Sequence, residues 1–369
     1  MEIESITQPN PVQQVLSALH RVEEPLFKAD IVSLEMIRNL QVDEAGRVNF
    51  MIVLPTPAHP YKAKIRKACE EALQQLPLVS DVEISFGADV LSDRRNGGLL
   101  AKTVRNTIAV ASGKGGVGKS TVAANLALAL SRQGAHVGLL DLDIYGPSMP
   151  IMLGTQQIPR AREGQIMPVR QHGVKVMSMG FLVEEEAPVI WRGPMMHQAI
   201  QQLLRDVAWG DVDYLVIDLP PGTGDAQITL GQSTPISGAV MVTTPQDVAL
   251  ADVVKGIAMF KDLNVPVLGV VENMSYYQCP TCGEISYLFG QGGGQKVSER
   301  MGIDLLAQIP LDAAAREGGD TGQPVVIGRP DSPAAMALFT LSQVVAGRLA
   351  VINRQKPVPF VTDPLLKII

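Results

Sequence analysis

From residue 106 the chain alternates short apolar runs with segments of helical spacing. TIAVAS, AHVGLLDLD, YLVIDLP, GAVMVTT and VPVLGVVEN are nearly unbroken in aliphatic residues. Strands that read this way are covered on both faces. Their alternation with helices predicts a doubly wound, mostly parallel α/β sheet over residues 106–350. Ligands of such sheets sit beyond the carboxyl ends of the strands, so the residues that follow each run carry the information.

Residues 1–86 read differently. PVQQVLSALHRV has helical spacing, and IRNLQV and RVNFMIVLP read as two strands joined by the turn DEAG. YKAKIRKACEEALQQL is an amphipathic helix and LVSDVEISF a last strand. The order α-β-β-α-β describes a small α+β domain. Residues 87–105, polar with a glycine pair, read as a linker, and residues 351–369 as a C-terminal tail.

Composition narrows the picture. With 46% apolar and 18% charged residues in 369, the chain has globular composition and material for more than one domain. A net charge of -6 without a long basic run argues against nucleic acid or an acidic membrane as partner. No uninterrupted apolar stretch reaches the ~18 residues of a membrane span, and MEIESITQPNPVQQVL reads as neither signal nor transit peptide. Three cysteines do not make a disulfide framework, so a reduced, cytoplasmic setting is expected.

TIAVAS runs into Gly113-Lys114-Gly115-Gly116-Val117-Gly118-Lys119-Ser120-Thr121, and a helical segment follows. Strand, glycine loop and helix are the context of a phosphate-binding loop. Its glycines let backbone N–H groups converge on phosphate beside the positive end of the helix. In that pattern Lys119 reaches the β- and γ-phosphates of ATP and Ser120 ligates Mg²⁺. YLVIDLPPGTGD places Asp218 where a second support for Mg²⁺ belongs; Asp225, further on, reads equally as a helix cap. HVGLLDLD ends in Asp141 and Asp143, and Asp143 is the candidate for orienting the attacking water.

The loop K-G-G-x-G-K-[ST] resembles the deviant Walker A motif of the MinD, ParA and nitrogenase-reductase class of ATPases. The resemblance implies that Lys114 reaches across a homodimer to the partner's nucleotide, in the manner of an arginine finger. It also implies adenine contacts from Asn273 in VVENMS and from Pro310 and Asp312 in AQIPLD. Taken alone, Asn after a strand is also a turn former.

NMSYYQCPTCGEISYLFGQGGGQKV holds Cys279 and Cys282, close enough to aim both sulfurs at one centre. A thioredoxin-like redox pair belongs at the start of a helix, and a zinc ribbon requires two further ligands. The third cysteine, Cys69, reads as a core residue of the small domain's helix. Two chains together supply four thiolates, the number a 4Fe–4S cluster takes. A bridging zinc meets the same geometry, and spacing leaves the metal open.

GKGGVGKST, DLDIYGPS, WRGPMM, DLPPGTGD, VTTPQDVAL, GVVENMS, CPTCG, and PVV after REGGDTGQ together resemble the Mrp/ApbC family of iron–sulfur cluster carrier ATPases. Membership implies a homodimer with a labile 4Fe–4S cluster between Cys279 and Cys282 of both chains. ATP would be linked to cluster loading or to transfer to apo-proteins, with scaffold proteins as further partners. DIVSLEMIRNLQV and VLPTPAHP resemble SufT- and PaaD-type iron–sulfur assembly modules, except that His59 stands where those carry cysteine. Imidazole does not reproduce a thiolate, so no cluster chemistry is assigned to that domain.

The alternative is a MinD- or ParA-like positioning ATPase with a structural zinc or a redox cysteine pair. Such ATPases need an amphipathic membrane helix or a basic surface, for which KPVPFVTDPLLKII is poor material. A reductase like the nitrogenase iron protein also bridges a cluster, but its cysteines lie far apart in sequence. His197 reads as surface or packing and His172 as a turn. Met177, Met179, Met195 and Met196 read as core filler.

Overall fold

The computed structural model of the chain describes residues 10–93, 95, 104–143, 146–181, 193–233 and 235–355. The expectations for the first residues, for Ile144, Tyr145, Trp191 and Arg192, and for the tail from residue 356 lie outside the described residues. Two compact units emerge, Met1–Val90 with Ala346–Val351, and Leu91–Val345 with Ile352–Ile369.

In the first unit, α1 (Pro11–Leu19) starts with proline at its first position, and the Asn10 side chain accepts the Val12 N–H at 3.0 Å. Two-residue strands β1 (Glu23–Glu24) and β2 (Ala29–Asp30) follow, which the hydrophobic pattern did not announce. β3 (Ile37–Val42) and β4 (Arg47–Leu54) pair antiparallel, and α2 (Lys62–Gln74) crosses to β5 (Asp81–Ala88), parallel to β4. Val48, Phe50, Ile52 and Leu54 alternate inward from β4 and meet Ile65, Cys69 and Leu73 of α2. Burial in this core pushes the Cys69 thiol up to about 12, so it stays protonated and inert.

The second unit opens with β6 (Val104–Ser112), which begins inside the segment expected to be linker. α3 (Lys119–Arg132), β7 (Val137–Asp141) and α4 (Met149–Leu153) come next. Short strands β8 (Arg160–Arg162), β9 (Gln165–Met167) and β10 (Val169–Gln171) precede β11 (Val174–Ser178). Then come α5 (Gly193–Arg205), β12 (Val212–Asp218), α6 (Asp225–Ser233), β13 (Gly238–Thr243) and α7 (Asp247–Asp262). The chain closes with β14 (Val267–Gln278), β15 (Ile285–Ser286), α8 (Gly293–Met301), β16 (Leu305–Leu311), α9 (Ala313–Thr321), α10 (Val325–Gly328) and α11 (Pro333–Gln355).

Nine strands make one sheet in the order β10-β11-β7-β12-β6-β13-β14, with β14 pairing both β15 and β16. Pairing is parallel except at β10 and β15. β6, β7, β12 and β13 are buried along nearly their whole length because helices cover both faces. One cluster, from Leu140 and Ile217 in the sheet to Leu203, Ile257 and Phe260 in helices, fills one side.

Two boundaries differ from expectation. Asn273 does not follow a strand: β14 runs through it to Gln278, so polar residues lie inside a strand. α11 continues to Gln355, past residue 350. By length and composition α11 is apolar enough to cross a bilayer, yet half of that stretch is buried within the protein. It docks on α3, where Gln133 Nε2 donates to Ser342 Oγ at 2.6 Å and Gln343 Nε2 donates to Gln133 Oε1 at 3.0 Å.

Candidate functional site

The strands converge as an open α/β sheet requires. β12 lies between β6 and β7, and Asp218 aligns with Val110 on one side and Asp141 on the other. Both acids therefore stand at the carboxyl edge, beside the loop from Ser112 to Lys119 that joins β6 to α3. Gly118 has φ +80°, and a Cβ there would sit 2.2 Å from Asn273 Nδ2. Only glycine meets both demands. The Asn273 amide donates to Val117 O at 2.9 Å, bracing the loop from β14.

Lys119 holds the acids together. Its Nζ lies 2.6 Å from Asp218 Oδ1, 3.1 Å from Ser120 Oγ and 3.5 Å from Asp143 Oδ2. Lys119, Asp143, Asp218 and Ser120 thus form one constellation at the start of α3, where the helix dipole favours anions. Asp218 is fully buried, and burial raises its carboxyl above the ordinary range despite Lys119. Its Oδ2 is buried without a hydrogen-bond partner. An orphaned carboxylate oxygen beside a serine hydroxyl and a second acid suits a hard cation such as Mg²⁺.

Asp141 is a participant to which the sequence assigned no role. It is fully buried, and burial first, then the charge of Asp218, pushes its carboxyl up to about 7. Oδ1 accepts the Asp143 N–H at 3.0 Å, and Oδ2 accepts the Ser178 hydroxyl at 2.9 Å. Ser178 Oγ also accepts the Gly180 N–H at 2.9 Å, so the end of β11 braces the turn that presents Asp143. The DLD spacing was the available signal for Asp141; nothing local marks Ser178.

Lys114 stands apart, with Nζ 3.5 Å from Gln246 Oε1 at the start of α7. Gly118, Thr121, Asn273, Pro310, Asp312 and Arg316 bound a cavity of about 220 Å³, bringing the three expected base contacts together beside the loop. Asp312 caps α9 by accepting the Ala314 N–H at 2.9 Å, while its Oδ2 is buried without a partner.

Cys279 follows the end of β14 and is half-buried, whereas Cys282 is exposed. The Gly283 N–H donates to Cys279 O at 2.8 Å and the Cys279 N–H to Glu284 O at 2.9 Å, making a tight knuckle. Backbone N–H groups of Cys282, first, and Thr281 point at the Cys279 sulfur and hold its thiol below the ordinary range. The same donors favour a metal-bound thiolate. Cys279 also borders a cavity of about 480 Å³ whose wall includes Pro310, Leu311 and Asp312, shared with the smaller cavity. Among the described residues no group of three His, Cys, Asp or Glu side chains assembles a metal site.

His59 is a buried structural residue. Its Nδ1 accepts the Tyr61 N–H at 3.2 Å, and Nε2 lies 2.8 Å from Glu24 Oε1, both side chains fully buried. His197 bonds Gln201 on the same helix, and His172 Nε2 lies 3.1 Å from Leu153 O.

A glycine loop between the central strand and a helix, its lysine against a strand-end carboxylate, makes the second unit a P-loop NTPase. Residues 103–346 match the family described as NUBPL iron-transfer P-loop NTPase. This chain belongs to that family, and residues 12–86 match a second one, iron-sulfur cluster assembly protein. An iron-sulfur cluster carrier protein from Synechocystis sp. is 48% identical over 347 residues, covering 91% of this chain and 97% of its own. The iron-sulfur cluster transfer protein NUBPL of Dictyostelium discoideum is 50% identical over 256 residues, covering 69% and 79%. A nucleotide-binding protein from Archaeoglobus fulgidus, solved in complex with ADP and with Co found by PIXE, is 41% identical with TM-score 0.55. That match covers 63% of this chain and 92% of the other.

Proposed function

We propose that this protein is an ATP-hydrolysing iron–sulfur cluster carrier. Two copies hold a labile 4Fe–4S cluster between their Cys279 and Cys282 thiolates and pass it to apo-proteins, with scaffold proteins supplying it. The observation that carries this reading is the shared wall: Pro310, Leu311 and Asp312 border both the cavity beside the P-loop and the cavity beside Cys279.

The chain's own residues divide the work. The loop Gly113–Thr121 wraps the phosphates, and Lys119 turns from Asp218 toward the β- and γ-phosphates. Ser120 and Asp218 would hold Mg²⁺, which supplies positive charge to those phosphates. Asp143, presented by Asp141, orients the attacking water. Lys114 of each copy completes the phosphate site of the other, lowering the barrier as an arginine finger does. Asn273, Pro310 and Asp312 take the adenine, with Asp312 Oδ2 available to accept from the exocyclic amine. Each chain offers two cysteines where a cluster takes four thiolates, so the cargo site is complete only in a pair of chains.

Anaerobic iron–sulfide reconstitution of wild type and a Cys279→Ala/Cys282→Ala variant tests the reading, with iron, sulfide, zinc and oligomeric mass read on the same samples. About four iron and four sulfide per dimer are expected, absent from the variant. Zinc alone, or no metal with an unchanged mass, sinks the carrier.

A further inference from the structure

Glu272 lies on β14 immediately before Asn273, fully buried among neutral donors. Its Oε1 accepts from Ser275 Oγ at 2.5 Å and from Gln308 Nε2 at 3.0 Å, and its Oε2 accepts the Gly294 N–H. A carboxylate has lone pairs for all three. Gly294 is the second residue of α8, so the carboxylate also meets the positive end of that helix. A Cβ on Gly294 would lie 2.9 Å from Glu272 Cβ, which accounts for that glycine in the GQGGG run.

The partners of Glu272 bracket the cysteine loop. Ser275 precedes Cys279, and Gly294 follows Cys282 at the far end of the exposed stretch 280–288. The bond to Ser275 depends on an irregularity in the strand. Asn273 pairs with Ile309 and Tyr277 with Leu311, so Met274, Ser275 and Tyr276 bulge opposite Pro310 alone. Proline has no N–H to give the ladder, which suits the bulge to that position. Met274 takes φ +54° there, and the resulting kink lets the buried Ser275 side chain reach back to Glu272.

Adjacent strand residues face opposite sides of a sheet. Asn273 accordingly faces the P-loop, bonded to Val117 O, while Glu272 faces α8. We propose that Glu272 is a positioning residue that clamps both ends of the cysteine loop to the strand carrying Asn273, so that nucleotide in the P-loop sets the order of the cysteine loop. This rests on reading the P-loop as the nucleotide site and the cysteine loop as the cargo site.

Hydrogen exchange of the amides of residues 278–290, in the full-length chain with and without Mg–ADP, tests it. In wild type, ADP slows exchange of the loop about fivefold or more. Ser275→Ala and Glu272→Ala bind ADP within about twofold of wild type but lose the ADP-dependent slowing. Glu272→Gln restores it, because Ser275 and the Gln308 amide can both reverse their donor roles. Should Glu272→Ala fail to fold, Ser275→Ala and Glu272→Gln carry the comparison. Equal slowing in Ser275→Ala and wild type, a wild-type loop indifferent to ADP, or loss of ADP binding in Ser275→Ala overturns the proposal. Iron does not enter this readout. A wild type that shows the ADP effect yet loads no iron keeps the clamp and refutes the carrier.

Discussion

Replacing Asp141 by Asn exchanges a buried acid for a neutral group of the same shape. The gap between the ordinary 3.8 and about 7 corresponds to about 4 kcal/mol of disfavoured ionisation. The raised value fixes the sign. As pH rises from about 4 to about 7, the unfolded chain gives up this proton while the folded chain keeps it. Wild-type stability therefore falls across that window and levels off above it. Asparagine does not titrate, but its amide nitrogen cannot accept, so the Met149 N–H, 3.5 Å from Asp141 Oδ2, loses an acceptor. That loss costs about 1 kcal/mol. Near pH 8 the variant should be more stable than wild type by about 2–3 kcal/mol, a rise of roughly 5–10 °C in Tm for a unit of this size. Near pH 4.5, where ionisation costs the wild type only about 1 kcal/mol, the two effects offset and the proteins should be about equally stable. Urea and thermal unfolding of both proteins, without nucleotide or divalent metal, measure the difference. A variant less stable at both pH values, or a difference independent of pH, refutes the reasoning.

Lys119→Ala leaves Asp218 buried and unpaired, and should destabilise the nucleotide-free protein by about 3 kcal/mol in urea unfolding. Lys114→Ala, losing only a contact at 3.5 Å, should leave stability within about 0.5 kcal/mol while ATP turnover falls about a thousandfold. Native alkylation near pH 8 should label Cys279 and Cys282 but not Cys69, and urea should expose all three, as peptide mass mapping would show. Glu24→Ala removes the carboxylate that lies 2.8 Å from the buried His59 imidazole and accepts the Phe27 N–H at 2.7 Å. Hydrogen exchange should report about 3 kcal/mol lost in the first unit.

Much of the fold was legible because strands covered on both faces must be aliphatic, and β6, β7, β12 and β13 are. The phosphate loop was legible because its spacing is set by backbone geometry rather than by distant contacts. β8 was not: all of Arg160–Arg162 is exposed, so no apolar face marks it. Reading Asn273 as a strand end failed because a polar residue suggests solvent, whereas here Val117 O takes up its amide. The parts played by Asp141 and Glu272 depend on neighbours such as Ser178 and Gly294, well removed in sequence. Windows of local pattern do not see such pairs.

The bulge in β14 imposes arithmetic on descent. Side chains alternate along a strand, so one residue added or removed between Asn273 and Cys279 would turn every later position to the opposite face. The length of that segment is then inherited by both ends at once, and neither can drift without the other. A designer grafting the cysteine knuckle onto a different phosphate-loop sheet would have to transplant the kinked strand and its proline neighbour as one cassette.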